Sequence, residues 1–176
     1  MLNAASTQPV RLRPDNFTPP TRTPWGGRRI LEVYKGGLEL DAEKAAYPVV
    51  GESWEISVDP AFPSRAILAD GREVELGELL RSDASAFLGE EGARRHGGST
   101  PMLIKLLDAD AKLSVQVHPE DSFAGLGPDE SGKPECWYVV GAEPHAGLYL
   151  GLSESASEQK LREALTAGDD ISDCLN

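Results

Sequence analysis

The chain has 176 residues, a formal net charge of −12 and a hydrophobic fraction of 40%. This length suits one domain, since a domain typically holds about 100–200 residues. The negative charge excludes nucleic acid and anionic membranes as expected partners, because their surfaces repel acidic proteins. The N-terminal sequence lacks the basic start and apolar stretch of a signal peptide, and no apolar run approaches a membrane span, so we expect a cytoplasmic protein.

Composition and local pattern predict a flexible arm followed by short strands. Residues 1–23 are rich in Pro, Thr and Asn and are predicted to form the arm, ahead of one domain over residues 24–176. Apolar and β-branched runs between turn signals predict strands. These runs are Arg29–Tyr34, Ser53–Val58, Ala66–Ala69, Met102–Leu107 and His145–Gly151, and Asp70-Gly71 is the turn signal after the third.

Two helices are predicted from apolar spacing and end signals. Leu76–Leu88 carries a partial helical stripe that Gly89 is expected to end. The segment Ser155-Ala-Ser-Glu158 has the spacing of a capping box, in which a serine hydroxyl and an acidic side chain satisfy free backbone amides. It precedes a helix at Gln159–Ala167, for which Gly168 is the expected stop.

A polar face is predicted on the segment Leu113-Ser-Val-Gln-Val-His-Pro119. Side chains alternate between the two faces of a strand, so Ser114, Gln116 and His118 would point the same way. The valines would then pack into a core on the opposite face. An antiparallel sheet with one solvated side gives the same pattern. The segment alone is therefore compatible with either a ligand-binding face or a solvated face.

The segment Gly132-Lys-Pro-Glu-Cys-Trp-Tyr138 adds a second candidate strand. It places Glu135 within a β-prone run, where a carboxylate is costly unless it is paired or bound to metal. Imidazole nitrogen and carboxylate oxygen suit zinc or another divalent first-row ion, so Glu135 could share one metal with Gln116 and His118. The alternative for Glu135 is a salt bridge to a nearby lysine, and for His118 a structural role at a strand end.

Taken together and in order, five segments resemble type I mannose-6-phosphate isomerase (phosphomannose isomerase), a zinc enzyme of the cupin, or jelly-roll, class. They are Pro24-Trp-Gly-Gly27, Gly51-Glu-Ser-Trp-Glu-Ile-Ser57, Leu103-Ile-Lys-Leu-Leu-Asp-Ala109 and the two candidate strands described above. The resemblance implies a mainly β fold, a cupin-type jelly roll with a few short helices. It also implies interconversion of mannose 6-phosphate and fructose 6-phosphate through an enediol intermediate.

The resemblance assigns roles to individual residues. Gln116, His118 and Glu135 match three of the family's four zinc ligands, with one Zn²⁺ expected per site. Ser114 and Lys133 match polar residues that line the sugar-phosphate pocket and are the candidate catalytic residues. The zinc ion would act as a Lewis acid on the sugar oxygens. Phosphate binding requires a local basic cluster because the net charge repels anions, and the candidates are Lys105, Lys112 and Lys133.

The family's fourth zinc ligand has no match in this sequence. That ligand lies in a Gly-Thr-Val-His-Ala strand, which an active-site arginine follows, and neither is present. His96 and His145 lie in loop-like contexts typical of surface residues. We therefore expect an N-terminal catalytic portion that is truncated and possesses an incomplete jelly roll.

Three functional alternatives stay open at this stage. In the first alternative, the chain is a catalytic portion with little activity alone. In the second, a partner or second copy completes an enzyme through unpaired strands, because exposed strand edges favour association. In the third alternative it is an inactive cupin module that binds a metal or a sugar phosphate. Turnover of mannose 6-phosphate separates the enzyme from the binding module.

Overall fold

Short antiparallel strands and short helices make up the regular structure. A computed structural model describes residues 9–128 and 130–176. The chain divides into two compact units, one ending at Val115 and the other spanning Gln116–Asn176. The strands are β1 (Arg11–Leu12), β2 (Glu52–Ile56), β3 (Arg65–Ile67), β4 (Glu73–Glu75) and β5 (Ile104–Leu107). The α-helices are α1 (Ala42–Ala45), α2 (Leu76–Ser82), α3 (Ala84–His96) and α4 (Glu158–Ala167). Small antiparallel sheets with a few helices are compatible with the predicted mainly β class.

A three-stranded antiparallel sheet has the order β1-β3-β4. The turn between β3 and β4 contains the predicted Asp70-Gly71 signal. Gly71 has a φ of 83°, a backbone conformation that glycine adopts without a steric penalty. The Asp70 carboxylate accepts a hydrogen bond from the amide of Arg72 at 3.0 Å. The predicted turn is therefore confirmed, and β3 overlaps the predicted strand Ala66–Ala69 at Ala66 and Ile67.

The second sheet consists of β2 and β5, paired antiparallel. Trp54 lies opposite Lys105, and the register shifts between Trp54 and Ile56. A bulge of this kind leaves one residue unpaired and bends the strand. Strand β5 falls within the predicted segment Met102–Leu107, and β2 overlaps the predicted segment Ser53–Val58 but begins one residue earlier, so both predicted strands are confirmed.

The core of the first unit includes residues from the predicted arm. Phe17 is buried in one cluster with Ile30, Leu31 and Val50, and it forms an isolated β-bridge with Ser53. An apolar ring is more stable out of water, which explains why this segment packs against the sheet. The predicted flexible arm is thus corrected for residues 9–23, whereas residues 1–8 lie outside the described residues.

The predicted strand Arg29–Tyr34 is wrong, because the structure has a π-helix at Ile30–Tyr34. The amide of Lys35 donates to the carbonyl of Ile30 at 2.8 Å, the i to i+5 bond that defines this helix type. Ile30 and its neighbour Leu31 are both buried, whereas a strand would direct them to opposite faces. A short apolar run does not distinguish helix from strand by sequence alone.

The predicted helix Leu76–Leu88 is divided into α2 and the start of α3. Asp83 separates the two helices, and its side chain accepts a hydrogen bond from the amide of Ala86 at 3.2 Å. This is an N-cap, which begins a new helix by satisfying a free amide. Gly89, the expected stop, has non-helical backbone angles and kinks α3.

The predicted strands in residues 113–119, 133–140 and 145–151 are not formed in the structure. No described ladder includes these residues, and a strand persists only where another strand satisfies its backbone groups. Their side chains are accordingly exposed, to 88% for Val117 and 90% for Tyr138. The jelly roll itself is therefore not evident among the described residues.

The second unit is ordered mainly by α4 and by contacts of the last residues. Helix α4 confirms the predicted helix and its end at Gly168, which has a φ of 75°. The cap is Ser157 rather than the predicted Ser155, because the Ser157 hydroxyl accepts from the amide of Lys160 at 3.1 Å. None of the helices in the described ranges has both the length and the apolar character needed to cross a lipid bilayer.

Candidate functional site

Two glycines bring the Trp-Gly-Gly segment against the Gly-Glu-Ser-Trp strand. A Cβ atom on Gly26 would lie 2.2 Å from the amide nitrogen of Gly51. A Cβ atom on Gly51 would lie 2.7 Å from the Cβ of Thr23 and 2.9 Å from the ring of Trp25. Gly27 continues the contact through a β-bridge to Val50. These separations leave no room for a side chain, which explains physically why both motifs contain glycine.

Strand β2 places an aromatic side chain beside two cations. The guanidinium carbon of Arg22 lies 5.9 Å from the ring centre of Trp54 and 4.7 Å from that of Phe62. The ammonium of Lys105 lies 4.6 Å from the Trp54 ring centre and 3.4 Å from a carboxylate oxygen of Glu52. Lys105, a candidate for phosphate binding, is therefore already stabilised by an aromatic face and a carboxylate. No sequence motif pointed to Arg22, which lies in a Pro/Thr-rich segment.

In the second unit, a backbone contact joins the two segments that carry the candidate ligands. The amide of Lys133 donates to the carbonyl of Pro119 at 3.1 Å, and the amide of Gly132 donates to the Asp121 carboxylate at 2.7 Å. A Cβ atom on Gly132 would lie 2.7 Å from the Pro119 carbonyl oxygen. Glycine therefore permits the close approach that brings His118 towards Glu135, without the predicted strand pairing.

Three of the predicted site residues come together here: His118, Lys133 and Glu135. The His118 Nε2 atom lies 2.8 Å from Oε2 of Glu135. The Lys133 ammonium lies 2.9 Å from the same carboxylate oxygen and 3.4 Å from the same imidazole nitrogen. One cation thus contacts both prospective ligand atoms. Their functional roles stay predictions, whereas their proximity is a property of the structure.

The second carboxylate oxygen of Glu135 is also engaged. It accepts a hydrogen bond of 2.7 Å from the indole nitrogen of Trp137. The hydrogen bond from Lys133 is the main cause that lowers the pKa of Glu135, and the Trp137 bond and the charges of Lys133 and His118 act in the same direction. Partial burial raises this pKa but does not outweigh them. Glu135 is thus held as a carboxylate, the form that binds cations.

Ser114 and Gln116 precede this cluster in the chain. Both side chains are exposed and lie outside any regular strand, so the predicted common face with His118 is not formed by strand geometry. The predicted strand conformation of these residues is therefore wrong. Their roles as pocket residue and metal ligand stay predictions.

The side chains of this cluster provide some of the donors that the predicted zinc ion requires. Two ligands that each lie about 2.0–2.2 Å from a tetrahedral zinc ion are about 3.4 Å apart. The His118 and Glu135 donor atoms are 2.8 Å apart, so they would have to separate by roughly half an ångström to hold the ion. No group of three or more His, Cys, Asp or Glu side chains is arranged for metal binding within residues 9–128 and 130–176. His145, at a φ of 72°, is exposed in a turn, and His96 is exposed at the end of α3. The described residues therefore fit part of a zinc site, with His118 and Glu135 as its ionisable donors.

Comparison with known proteins identifies related sequences. Residues 25–140 match the family model of the phosphomannose isomerase type I catalytic domain. The mannose-6-phosphate isomerase of Streptococcus mutans is 34% identical over 145 residues, which cover 82% of this chain and 42% of that protein. A Bacillus subtilis mannose-6-phosphate isomerase is 30% identical over 77% of this chain and 39% of its own length. The Escherichia coli enzyme is 36% identical over 58% of this chain and 25% of its own length.

The chain spans about two-fifths of the length of the first of these relatives. No solved structure matches it. The matched range includes the Trp-Gly-Gly segment, the β2–β5 sheet and the cluster of His118, Lys133 and Glu135. On this evidence, the chain belongs to the phosphomannose isomerase type I family.

Proposed function

We propose that this chain is the catalytic part of a metal-dependent aldose–ketose isomerase that interconverts mannose 6-phosphate and fructose 6-phosphate. The cluster of His118, Lys133 and Glu135 is the observation that carries the proposal, because it combines two metal-type donors with a cation within the family-matched range. The fold of the whole enzyme would be a cupin-type jelly roll, and its location the cytoplasm.

His118 and Glu135 would hold one Zn²⁺, with Gln116 as a neutral third ligand. When bound, the ion supplies Lewis-acid stabilisation of the negative charge that develops on the sugar oxygens. Trp137 orients the Glu135 carboxylate through its indole hydrogen bond, as supporting residues commonly do for metal ligands. Lys133, whose side chain is 44% exposed, would bind the sugar phosphate or take part in proton transfer, and Ser114 would line the pocket.

The experiment that tests this function is turnover of mannose 6-phosphate by the purified chain, first with zinc and then with a chelator. Fructose 6-phosphate formation that requires the metal supports the proposal. Zinc affinity measured by chelator competition tests the site separately. We expect His118→Ala and Glu135→Ala to weaken zinc binding at least roughly tenfold. His145→Ala is the control and should bind zinc as the wild type does, whereas equal affinities in all three variants would refute the site.

A second candidate function is that of a module that binds zinc or a sugar phosphate without turnover. It is favoured by the small ionisable donor set, since the described residues hold the His118–Glu135 pair rather than a group of three. Zinc binding that depends on His118, combined with no fructose 6-phosphate formation by the folded chain, would support this alternative.

Completion of the site by a partner or second copy is one of the three alternatives that the sequence leaves open. The second unit exposes many apolar side chains, among them Tyr138, Val140 and Leu150. Exposed apolar surface of this kind favours association. Sedimentation of the purified chain over a range of concentrations measures self-association, and turnover that rises faster than the protein concentration would indicate a site shared between copies.

A further inference from the structure

Lys133 contacts both of the side chains that would hold the zinc ion. Its ammonium contacts Oε2 of Glu135 at 2.9 Å and lies 3.4 Å from Nε2 of His118. These are the two atoms that would ligate the metal. A divalent ion bound to both would lie within a few ångström of the ammonium, where like charges repel even though water partly screens them.

The ligand atoms themselves are also already engaged. Nε2 of His118 lies 2.8 Å from Oε2 of Glu135, and the same oxygen receives the Lys133 ammonium. The other oxygen of Glu135 accepts from Trp137. A metal ion that takes up a lone pair on Oε2 must therefore displace a contact that is present without it, and Lys133 is the mobile partner because its side chain is 44% exposed.

We propose that Lys133 is a built-in competitor of the metal, a cation that occupies the His118–Glu135 pair until metal binding releases it. The inference rests on the proposed zinc site and adds a regulatory property to it. Lys133 stabilises the metal-free arrangement and lowers the affinity for metal. Once displaced, its ammonium is available to an anionic group such as a phosphate. Binding of metal and binding of anion are then linked, and each favours the other.

Zinc affinity of the full chain, measured by chelator competition, tests this inference directly. Lys133→Met removes the charge and keeps a side chain of similar length, so we expect zinc to bind about tenfold more tightly than to the wild type. Lys133→Arg keeps a cation and should bind no more tightly than the wild type. Lys160→Met is the matched control, because it removes the same charge from an exposed position on α4 of the same unit and should leave the affinity unchanged.

The opposite role for Lys133 predicts the opposite result. If its main effect is to hold Glu135 in place for the metal, Lys133→Met will bind zinc equally or more weakly, and the competition is overturned. Lys133→Gln, a second neutral variant, covers the case in which the methionine variant does not fold, and it should also tighten binding.

The parent site is tested in the same series. Zinc binding by the wild type that His118→Ala does not weaken would refute the zinc site and the competition with it. Binding that His118→Ala weakens but Lys133→Met does not tighten would refute the competition alone.

Discussion

Residues 9–115 and residues 116–176 are stabilised by different kinds of interaction. The first region contains the buried apolar side chains of the core, including Phe17, Ile30, Val50 and Trp54. In the second region Cys174 is the one hydrophobic residue among those described that is buried, at 2% exposure. Burial of apolar surface is the main favourable term in folding, so most of the stability should come from the first region.

The second region holds its shape through polar contacts instead. The Pro119–Lys133 backbone bond, the ion pairs of Glu135 and the cap of α4 are hydrogen bonds or charges near the surface. Each contributes only about 1 kcal/mol to net stability, because water competes for the same groups. The candidate site therefore lies in the region with little buried apolar surface, where a lysine can exchange partners at low energetic cost.

Among substitutions that contrast the two regions, Gly26→Ala is expected to reduce the stability of the protein most. The added methyl group would overlap the backbone of Gly51, at a separation of 2.2 Å that neither segment can accommodate without moving. We expect the free energy of unfolding to fall by about 3 kcal/mol. Urea denaturation measures the loss, and Gly147→Ala in the second region, where nothing lies within 4 Å, is the control. A Gly26→Ala variant as stable as the control would show that the two motifs are not tightly packed.

The next prediction compares the same substitution in both regions. Val50 is 0% exposed and Val117 is 88% exposed. Val50→Ala removes two buried carbon groups at roughly 0.8 kcal/mol each and leaves a small cavity, so we expect a loss of about 2 kcal/mol. Val117→Ala should change stability by less than about 0.5 kcal/mol. Equal losses in urea denaturation would mean that Val117 is buried in solution, and the contrast between the regions would fail.

A smaller effect concerns the acid stability of the first region. Burial of Asp15 raises its pKa, but the hydrogen bonds from Arg13 and the amide of Asp41, and the charges of Lys44 and Arg13, together lower it below the usual value. The contribution of Asp15 to stability is therefore fully present above the pKa of an unfolded aspartate, near pH 4, and is lost as the pH falls through the lower folded pKa.

Asp15→Asn should remove this dependence. We expect a loss of about 1–2 kcal/mol at neutral pH and a shallower decline of stability between pH 5 and about pH 2 than in the wild type. Urea denaturation at a series of pH values measures both quantities. If the stability of the variant declined below pH 5 as steeply as that of the wild type, Asp15 would not couple folding to protonation.

The smallest effect is expected for the cap of α4 in the second region. Ser157→Ala removes the acceptor for the amide of Lys160 and should weaken α4 by about 1 kcal/mol. Amide hydrogen exchange of the first turn of α4 detects this local loss. Ser155→Ala is the matched control and should leave the exchange unchanged, whereas the reverse result would restore the capping box that the sequence predicted.

The sequence predicts structure correctly where one local signal determines it. The Asp70-Gly71 turn, the end of α4 at Gly168 and the strands β2 and β5 were predicted because glycine, turn residues and apolar runs act within a few residues. The predicted strand Arg29–Tyr34 was wrong, because burial of adjacent apolar residues favours a π-helix there. The predicted strand in residues 133–140 was also wrong, because a β-prone run forms a strand only if another strand pairs with it.

At the candidate site, too, the sequence determines some properties and the tertiary structure determines others. The sequence by itself determined which residues carry the chemistry, since imidazole, carboxylate and ammonium groups at His118, Glu135 and Lys133 can be read directly from it. Only the tertiary structure decided how they meet, through a glycine contact and a backbone bond instead of two paired strands. It also placed the ammonium against both donor atoms. The physical reason is that residue type fixes what a side chain can bind, whereas distance between segments far apart in sequence depends on packing and backbone hydrogen bonds.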